Sequence, residues 1–266
     1  MEYQKFIPEG WEETKDENKL DVESAIRNGD VLQGFVESCD SKYNLHVKFG
    51  DNQKGIIPRN ELEGINVDEF GFCNPSICKN KVNQYVQFKV KEIYDNDKLI
   101  LSRKNVQNEA LQWVKNDLKP GMVVNGIVKN MRKFGVFVEI GGGVVGLMHI
   151  EDISVSRIKT PEERFYIGQK INVMIKSIDT DENRIVLSYK ELLGDWDENI
   201  KEFSEKTVVQ GIVKETDKFK NGIFIELKPN LVGLAEYKEG VEYGQKVNVF
   251  IKKIIKDRKK IKLLIV

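Results

Sequence analysis

One pattern of residues occurs three times in this chain, and that repeat limits the fold more than any other feature. Its clearest copy is residues 119–154, KPGMVVNGIVKNMRKFGVFVEIGGGVVGLMHIEDIS. A Pro-Gly turn opens it. An alternating apolar run follows (Val123, Ile127, Phe134, Val136, Val138, Ile140). Three glycines at 141–143 break the run, and a short apolar stretch ends in Met148-His149-Ile150. Alternation of this kind signals half-buried strands, and the glycines signal tight turns between them. Phe134 and Phe137 are three apart, so in a regular strand they point to opposite faces. A bulge or bend near Gly135 is needed to bring both rings to one surface.

The same grammar appears earlier as GDVLQGFVESCDSKYNLHVKFGDNQKGIIPRNEL and later as TVVQGIVKETDKFKNGIFIELKPNLVGLAEY. Gly34, Gly126 and Gly211 correspond at spacings of 92 and 85, and Gly55, Gly146 and Gly233 at 91 and 87. Each copy then ends in a strand, a charged turn and a second strand: VNQYVQFKVKEIYDNDKLILSRK, GQKINVMIKSIDTDENRIVLSYK and GQKVNVFIKKIIKDRKKIKLLIV. A self-similar period means repeated domains, and about five short strands per copy predict a small closed barrel of the OB type. The expected fold is therefore all-β: three tandem five-stranded barrels joined by short helical linkers.

The chain divides accordingly. Residues 1–28 read as an acidic extension with partial order, in which Phe6, Ile7 and Trp11 are candidates to dock. Barrel one spans 29–104, a linker helix 105–119, barrel two 120–193, an acidic linker 194–205 and barrel three 206–266. In the first linker Ala110, Leu111, Val114 and Leu118 sit at helical spacing, and in the second Leu192, Leu193, Trp196, Ile200 and Phe203 do. Thr160-Pro161-Glu162-Glu163 reads as a helix start, with Thr160 as N-cap and Glu163 completing a capping box.

Net charge is zero, from 42 basic and 42 acidic residues, which argues against a strongly basic nucleic-acid binder. The charge is uneven, however. Residues 1–28 carry 4 basic and 8 acidic residues, 194–205 carry 1 and 5, and 206–266 carry 14 and 7. No apolar run reaches membrane-spanning length, the start lacks a secretory signal, and three scattered cysteines fit a reducing cytosol, so a cytoplasmic location is expected. Zinc is not expected at Cys73 and Cys78. No catalytic motif or phosphate loop is present, so neither enzymatic chemistry nor a cofactor is expected.

All three copies resemble the S1 RNA-binding domain, an OB-type barrel. The likeness covers residues 29–266 and is strongest in NGIVKNMRKFGVFVEIGGGVVGLMHIEDIS and YIGQKINVMIKSIDTDENRIVLSYK of the second copy. The family's RNA surface combines two aromatics, a histidine and an Asp and Arg on a hairpin. Carried over, barrel two supplies Phe134, Phe137, His149, Asp179 and Arg184. Barrel one has Tyr43, His46, Pro58, Tyr94 and Lys98 there, and barrel three has Asn221, Phe224, Glu236, Ile255 and Lys260. Only barrel two has the full set.

The resemblance implies binding of single-stranded RNA, such as mRNA, with the outer barrels docking to the small ribosomal subunit or to other proteins. Exposed aromatics suit this, because every base has a π-face that stacks whatever its identity. Arg132, Lys133 and Arg184 would meet phosphates, and Asp179 would accept from a base edge or orient Arg184. The last hairpin clusters Lys252, Lys253, Lys256, Arg258, Lys259, Lys260 and Lys262. These residues read as phosphate contacts together with Phe224, or as a solvated hairpin that guards a sheet edge. The acidic linker can fold back on them. The competing reading is a protein-interaction adaptor or RNA-regulatory factor whose outer barrels dock a partner.

Overall fold

A computed structural model describes residues 4–12, 21–65, 67–94, 98–216 and 222–266. Among these, fifteen strands close into three barrels of identical topology. Barrel one contains β1 (Leu32–Cys39), β2 (Leu45–Phe49), β3 (Gln53–Ile57), β4 (Tyr85–Tyr94) and β5 (Lys98–Ser102). Barrel two contains β6 (Val123–Arg132), β7 (Gly135–Gly141), β8 (Val144–His149), β9 (Lys170–Asp179) and β10 (Arg184–Ser188). Barrel three contains β11 (Val208–Thr216), β12 (Ile223–Lys228), β13 (Leu231–Ala235), β14 (Lys246–Ile255) and β15 (Lys260–Ile265). In each, the first three strands form an antiparallel meander, the third pairs parallel with the fifth, and the fourth closes the barrel against the first and fifth. Closure leaves no free sheet edge, so strands of five to ten residues are enough.

The shared glycines explain how a barrel this narrow closes. A Cβ on Gly126 would stand 2.5 Å from a Val138 methyl, and one on Gly211 2.4 Å from an Ile225 methyl. The second set faces the last strand. A Cβ on Gly146 would meet Leu187 at 2.7 Å, and one on Gly233 would meet Leu263 at 2.5 Å. A leucine from the fifth strand thus fills the space that each glycine leaves in the third.

The amino-terminal residues 4–12 are built into the structure as a strap between barrels one and two. Phe6 is buried against Trp113 with ring centroids 5.8 Å apart, and it joins the core of barrel two. The Gln4 amide donates to Ile140 O at 2.7 Å and accepts from Asn125 N at 2.8 Å. Lys170 Nζ holds Trp11 O at 2.5 Å. Helix α1 (Val22–Asn28), capped by Asp21 and ended by Gly29 at φ 65°, packs on β4. This part of the acidic extension is therefore ordered, because its apolar residues complete a core that barrel two leaves open. Residues 13–20 lie outside the described residues.

Helix α2 (Pro75–Asn80) lies between β3 and β4. The first linker is helix α3 (Arg103–Asn116), whose N-cap Ser102 accepts from Asn105 N at 3.1 Å. Val106, Ala110, Trp113 and Val114 bury one face against barrel two. The glycine turn at 141–143 receives this helix. A Cβ on Gly142 would come within 2.5 Å of Ala110 Cβ, and one on Gly143 within 2.0 Å of the Arg103 guanidinium.

At that turn lies a buried ion network. Glu9 accepts from Arg103 Nε at 2.6 Å and Nη2 at 3.0 Å, from Gln87 N at 3.0 Å and from Lys81 at 3.1 Å. Arg103 Nη1 reaches Glu63 at 2.7 Å. Glu139 accepts from Glu9 N at 2.8 Å and Gly143 N at 3.0 Å and pairs with Lys129 at 2.9 Å. Burial alone would raise the Glu9 carboxyl, but Arg103, Lys81 and Lys129 hold it far below the carboxylate range. Burial and the Glu9 charge push Glu139 up.

The second linker is a chain of single turns: 190–193, α4 (Trp196–Asn199) and 200–202. It is not one continuous helix, because Gly194 adopts φ 74° and the Asn199 amide takes up the carbonyls of Leu193, Gly194 and Asp195. The expected capping box at Thr160 does not form. Thr160 makes no cap bond, and Glu163 is drawn to barrel three instead. It accepts from Tyr243 OH at 2.6 Å and Lys214 Nζ at 2.8 Å of barrel three, and from Lys159 N of its own loop at 2.6 Å. Against burial, which raises it, these three bonds bring its pKa down to about 2.

Two outcomes test these seams. Glu9→Ala leaves the Arg103 guanidinium buried with half its partners, so chemical denaturation should show a loss of about 3–5 kcal/mol. Glu163 has a depressed carboxyl, so its contribution is complete above its ordinary value of 4.5 and disappears as pH falls toward about 2. Denaturation midpoints of wild type and Glu163→Gln should therefore converge between pH 5 and pH 2.

Candidate nucleic-acid interface

The candidate surface on barrel two begins at the turn between β6 and β7. Phe134 lies in that turn rather than in a strand, so strand alternation does not govern it. Its carbonyl accepts from Ile150 N at 2.9 Å, which clasps the turn over the end of β8. Gly135 permits the clasp, since a Cβ there would meet Met148 O at 2.4 Å. Phe137 is the third residue of β7. The two rings meet on the outer surface, centroids 6.1 Å apart and nearly perpendicular at 83°. Phe134 is 49% exposed, and Phe137 is half-buried beneath its edge. The rings share one surface because Phe134 lies in the turn, and the register break lies across the ladder, on β6 between Val128 and Asn130.

The pairing register extends this surface. Phe137 stands opposite Leu147 on β8, and Leu147 stands beside Val186 on β10. All three are half-buried and form one row across the outer face. By alternation, His149 shares the face two residues beyond Leu147, and Arg184 shares it two residues before Val186. His149 is exposed and caps the turn that follows, its Nδ1 accepting from Glu151 N at 3.4 Å. Leu147 and Val186, the apolar floor, were not among the residues singled out from sequence. Their signal was present, since each alternates with a core residue, Met148 and Leu187.

The hairpin pair is arranged differently from expectation. Asp179 Oδ1 accepts from Asp181 N and Glu182 N, both at 3.0 Å, and so shapes its own turn. Arg184 is opposite Asp179 in the ladder but pairs with Glu182 at 2.7 Å. Asp179 therefore does not orient Arg184 here. Arg132 and Lys133, exposed beside Phe134, have no carboxylate partner among the described residues. Cys73 and Cys78 are buried in barrel one with sulfurs 3.4 Å apart, and burial pushes the Cys78 thiol up to about 12.

The same register identifies the corresponding positions elsewhere. His46 and Phe224 occupy the place of Phe137, Pro58 and Glu236 that of His149, and Tyr94 and Ile255 that of Asp179. Asn221 lies outside the described residues. In barrel three Phe224, 41% exposed, continues through Leu234 to Lys262, an aromatic, apolar and basic row. Lys260 shares the face of Lys262. Two of the hairpin cations are engaged: Lys252 pairs with Glu236 at 3.0 Å, and Lys259 with Asp197 of the acidic linker at 2.9 Å. Lys253, Lys256, Arg258, Lys260 and Lys262 have no carboxylate partner among the described residues.

Known proteins with similar sequences carry the same kind of domain. Residues 117–190 match the S1 RNA binding domain family. The small ribosomal subunit protein bS1 of Staphylococcus aureus strain COL is 35% identical over 261 residues, covering 92% of this chain and 63% of the relative. The bS1 of Staphylococcus epidermidis is 34% identical over the same shares. Among solved structures, that of GSP13 from Bacillus subtilis aligns with 34% of this chain and 76% of its own, at 21% identity and a TM-score of 0.28. Residues 117–190 therefore belong to the S1 RNA-binding domain family, and the other two barrels repeat their topology. Along most of its length the chain is similar to the bacterial ribosomal protein bS1, and it spans 63% of the length of those relatives, less than two thirds.

Among the described residues no helix is long and apolar enough to cross a membrane. The clasp on the Phe134 turn makes a direct prediction. Gly135→Ala should force the turn off Met148 O, separate the two rings and shift the Phe134 and Phe137 ring resonances in NMR spectra while the core methyl signals stay in place.

Proposed function

We propose that the chain binds single-stranded RNA without catalysing a reaction on it, gripping unstructured strands such as mRNA on the outer face of barrel two. The observation that carries this reading is the pair of surface rings, Phe134 and Phe137, set 6.1 Å apart beside the unpaired Arg132 and Lys133. Each ring offers a base about 1–3 kcal/mol of stacking, and the basic turn supplies phosphate contacts. His149 adds a further stacking or hydrogen-bonding group at the end of the row. Arg184 can exchange Glu182 for a phosphate, since both lie exposed on the hairpin. The five unpaired cations on the last hairpin of barrel three, with Phe224 nearby, add sequence-independent attraction. The relatives' name places them on the small ribosomal subunit, and the same setting, translation in the cytoplasm, suits this chain.

A second reading is an adaptor whose outer barrels dock a partner, such as the small ribosomal subunit or one of its proteins. The zero net charge and Glu236 in the position of His149 favour it for barrel three.

In anisotropy titrations with an unstructured RNA, Phe137→Ala should weaken binding about tenfold, the equivalent of about 1.4 kcal/mol. Titrations of mutant and wild type that overlay would remove the assigned surface. Asp197→Ala releases Lys259 and should steepen the salt dependence of RNA affinity, by a log–log slope of about 0.7 for one added phosphate contact. RNA binding that appears only in the presence of small subunits would favour the adaptor.

A further inference from the structure

Barrel three carries an apolar stripe away from the row that starts at Phe224. Val208 on β11, Phe250 on β14 and Leu264 on β15 stand directly opposite one another in the ladder. Val208 is 58% exposed and Leu264 37%, and the Phe250 ring is half-buried between them. β14 pairs with neither β12 nor β13, the strands of Phe224 and Leu234, so this is a different side of the barrel. We propose that the stripe docks an acidic amphipathic helix of a partner protein, whose carboxylates meet Lys253 and Lys262. The proposal rests on the reading of barrel three as a docking module, and it names the face and the chemistry.

The chain itself shows what covers this place in another copy. By register, Lys89 and Ser102 of barrel one correspond to Phe250 and Leu264. Ser102 caps α3, and Lys89 Nζ donates to both carboxylate oxygens of Glu109 on that helix, at 2.6 and 2.7 Å. Helices α1 and α3 both pack on β4, the strand of Lys89. Barrel one thus meets this face with helices, and a lysine–glutamate pair fixes one of them. Barrel two has Met174 and Ser188 there, with the 190–193 turn against β9. In barrel three, among the described residues, no helix packs on β14 as α1 and α3 pack on β4, and a phenylalanine replaces the lysine.

The flank of the stripe selects an acidic occupant. Lys253 and Lys262 are exposed and stand directly opposite each other on β14 and β15, beside Phe250 and Leu264. Like charges placed opposite each other destabilise a sheet. Neither lysine has a carboxylate partner among the described residues, whereas the adjacent Lys252 is engaged by Glu236 at 3.0 Å. Barrels one and two avoid the clash, with Glu92–Ile100 and Ser177–Val186 at the same ladder position. Exposed Lys206, whose N donates to Ile251 O at 2.8 Å, adds a third cation just before β11. A partner that brings carboxylates to the Lys253–Lys262 pair relieves the repulsion.

The dimensions suit a helix. Three neighbouring strands carry the stripe across about 10 Å. Apolar residues at i, i+4 and i+7 of a helix cover about the same length. A single strand of RNA is a poorer match, because valine and leucine have no π-face and the one ring is tucked between them. A second copy of this chain would set the same lysines against each other, so the occupant is a different, acidic chain.

The test uses the full chain with isotope-labelled methyl groups and a stapled helical peptide of about 14 residues, with leucines at i, i+4 and i+7 and glutamates along one flank. The Val208 and Leu264 methyl signals should shift in NMR titrations, with a Kd of about 0.1–1 mM. A peptide with lysine in place of each glutamate should bind about tenfold more weakly. Leu264→Glu should weaken binding of the acidic peptide about tenfold, and Lys262→Gln about threefold. Both side chains are exposed, and unchanged Ile251 and Leu263 signals will show that the core is intact. Shifts confined to Val232 and Leu234 would overturn this site but leave barrel three a docking module. No shift on barrel three up to about 2 mM peptide would overturn both. If an unstructured RNA alone shifts the Val208 and Leu264 methyls, the face serves RNA and the proposal fails.

Discussion

The pairing of Glu9 with Arg103 is the contact on which the arrangement of this chain depends. The two groups are buried together, and an isolated charge at that depth is not tolerated. Each therefore requires the other and the groups around it. Arg103 begins the linker helix, Glu9 belongs to the strap, Glu63 and Lys81 come from barrel one, and Glu139 and Gly143 come from barrel two. One guanidinium so fixes a strap, a helix and two barrels. Such a network adds little stability over well-packed apolar residues, but it is satisfied in only one geometry. The seam between barrels two and three follows the same logic on a smaller scale, with Glu163 shared among Lys159, Lys214 and Tyr243.

Within each barrel the requirements are steric. Gly126 and Gly146, with their counterparts in the other copies, are places where a Cβ would collide with a neighbouring strand. They recur because the closed barrel needs them, whatever it binds. The outer faces carry no such restriction and have diverged. Barrel two presents a phenylalanine pair and a histidine. Barrel three presents an aromatic, apolar and basic row with a glutamate in the histidine's place. Barrel one combines a tyrosine with residues from the long excursion between β3 and β4.

Charge is distributed to the same end. A chain with no net charge can still offer a positive face if its acidic residues are spent inside seams and turns. Glu9, Glu63 and Glu139 are buried between barrels, and Asp179 caps a turn, while Arg132 and Lys133 remain unpaired beside the rings. Three outer cations of the candidate surfaces are exceptions: Arg184 pairs with Glu182, Lys252 with Glu236, and Lys259 with Asp197 of the acidic linker, which covers part of the basic hairpin.

The sequence alone determined the repeat, the barrel class and the correspondence of positions such as Phe137, His46 and Phe224. Period-two alternation and scaffold glycines are local signals, and local signals survive in a string of letters. The bend near Gly135 was only half legible. The spacing of Phe134 and Phe137 demanded that the rings be reconciled, but the turn clasped by Ile150 N supplies the means, and that bond crosses sixteen residues. Glu9 looked like one more charge in an acidic extension, because its partner Arg103 lies 94 residues away. Arg59 and Phe72 match nothing in the other copies, so comparison of repeats passed over them. Only tertiary structure sets the Arg59 guanidinium over the rings of Tyr43 and Phe72, because the excursion that carries Phe72 has no period and its position is set by packing against the barrel.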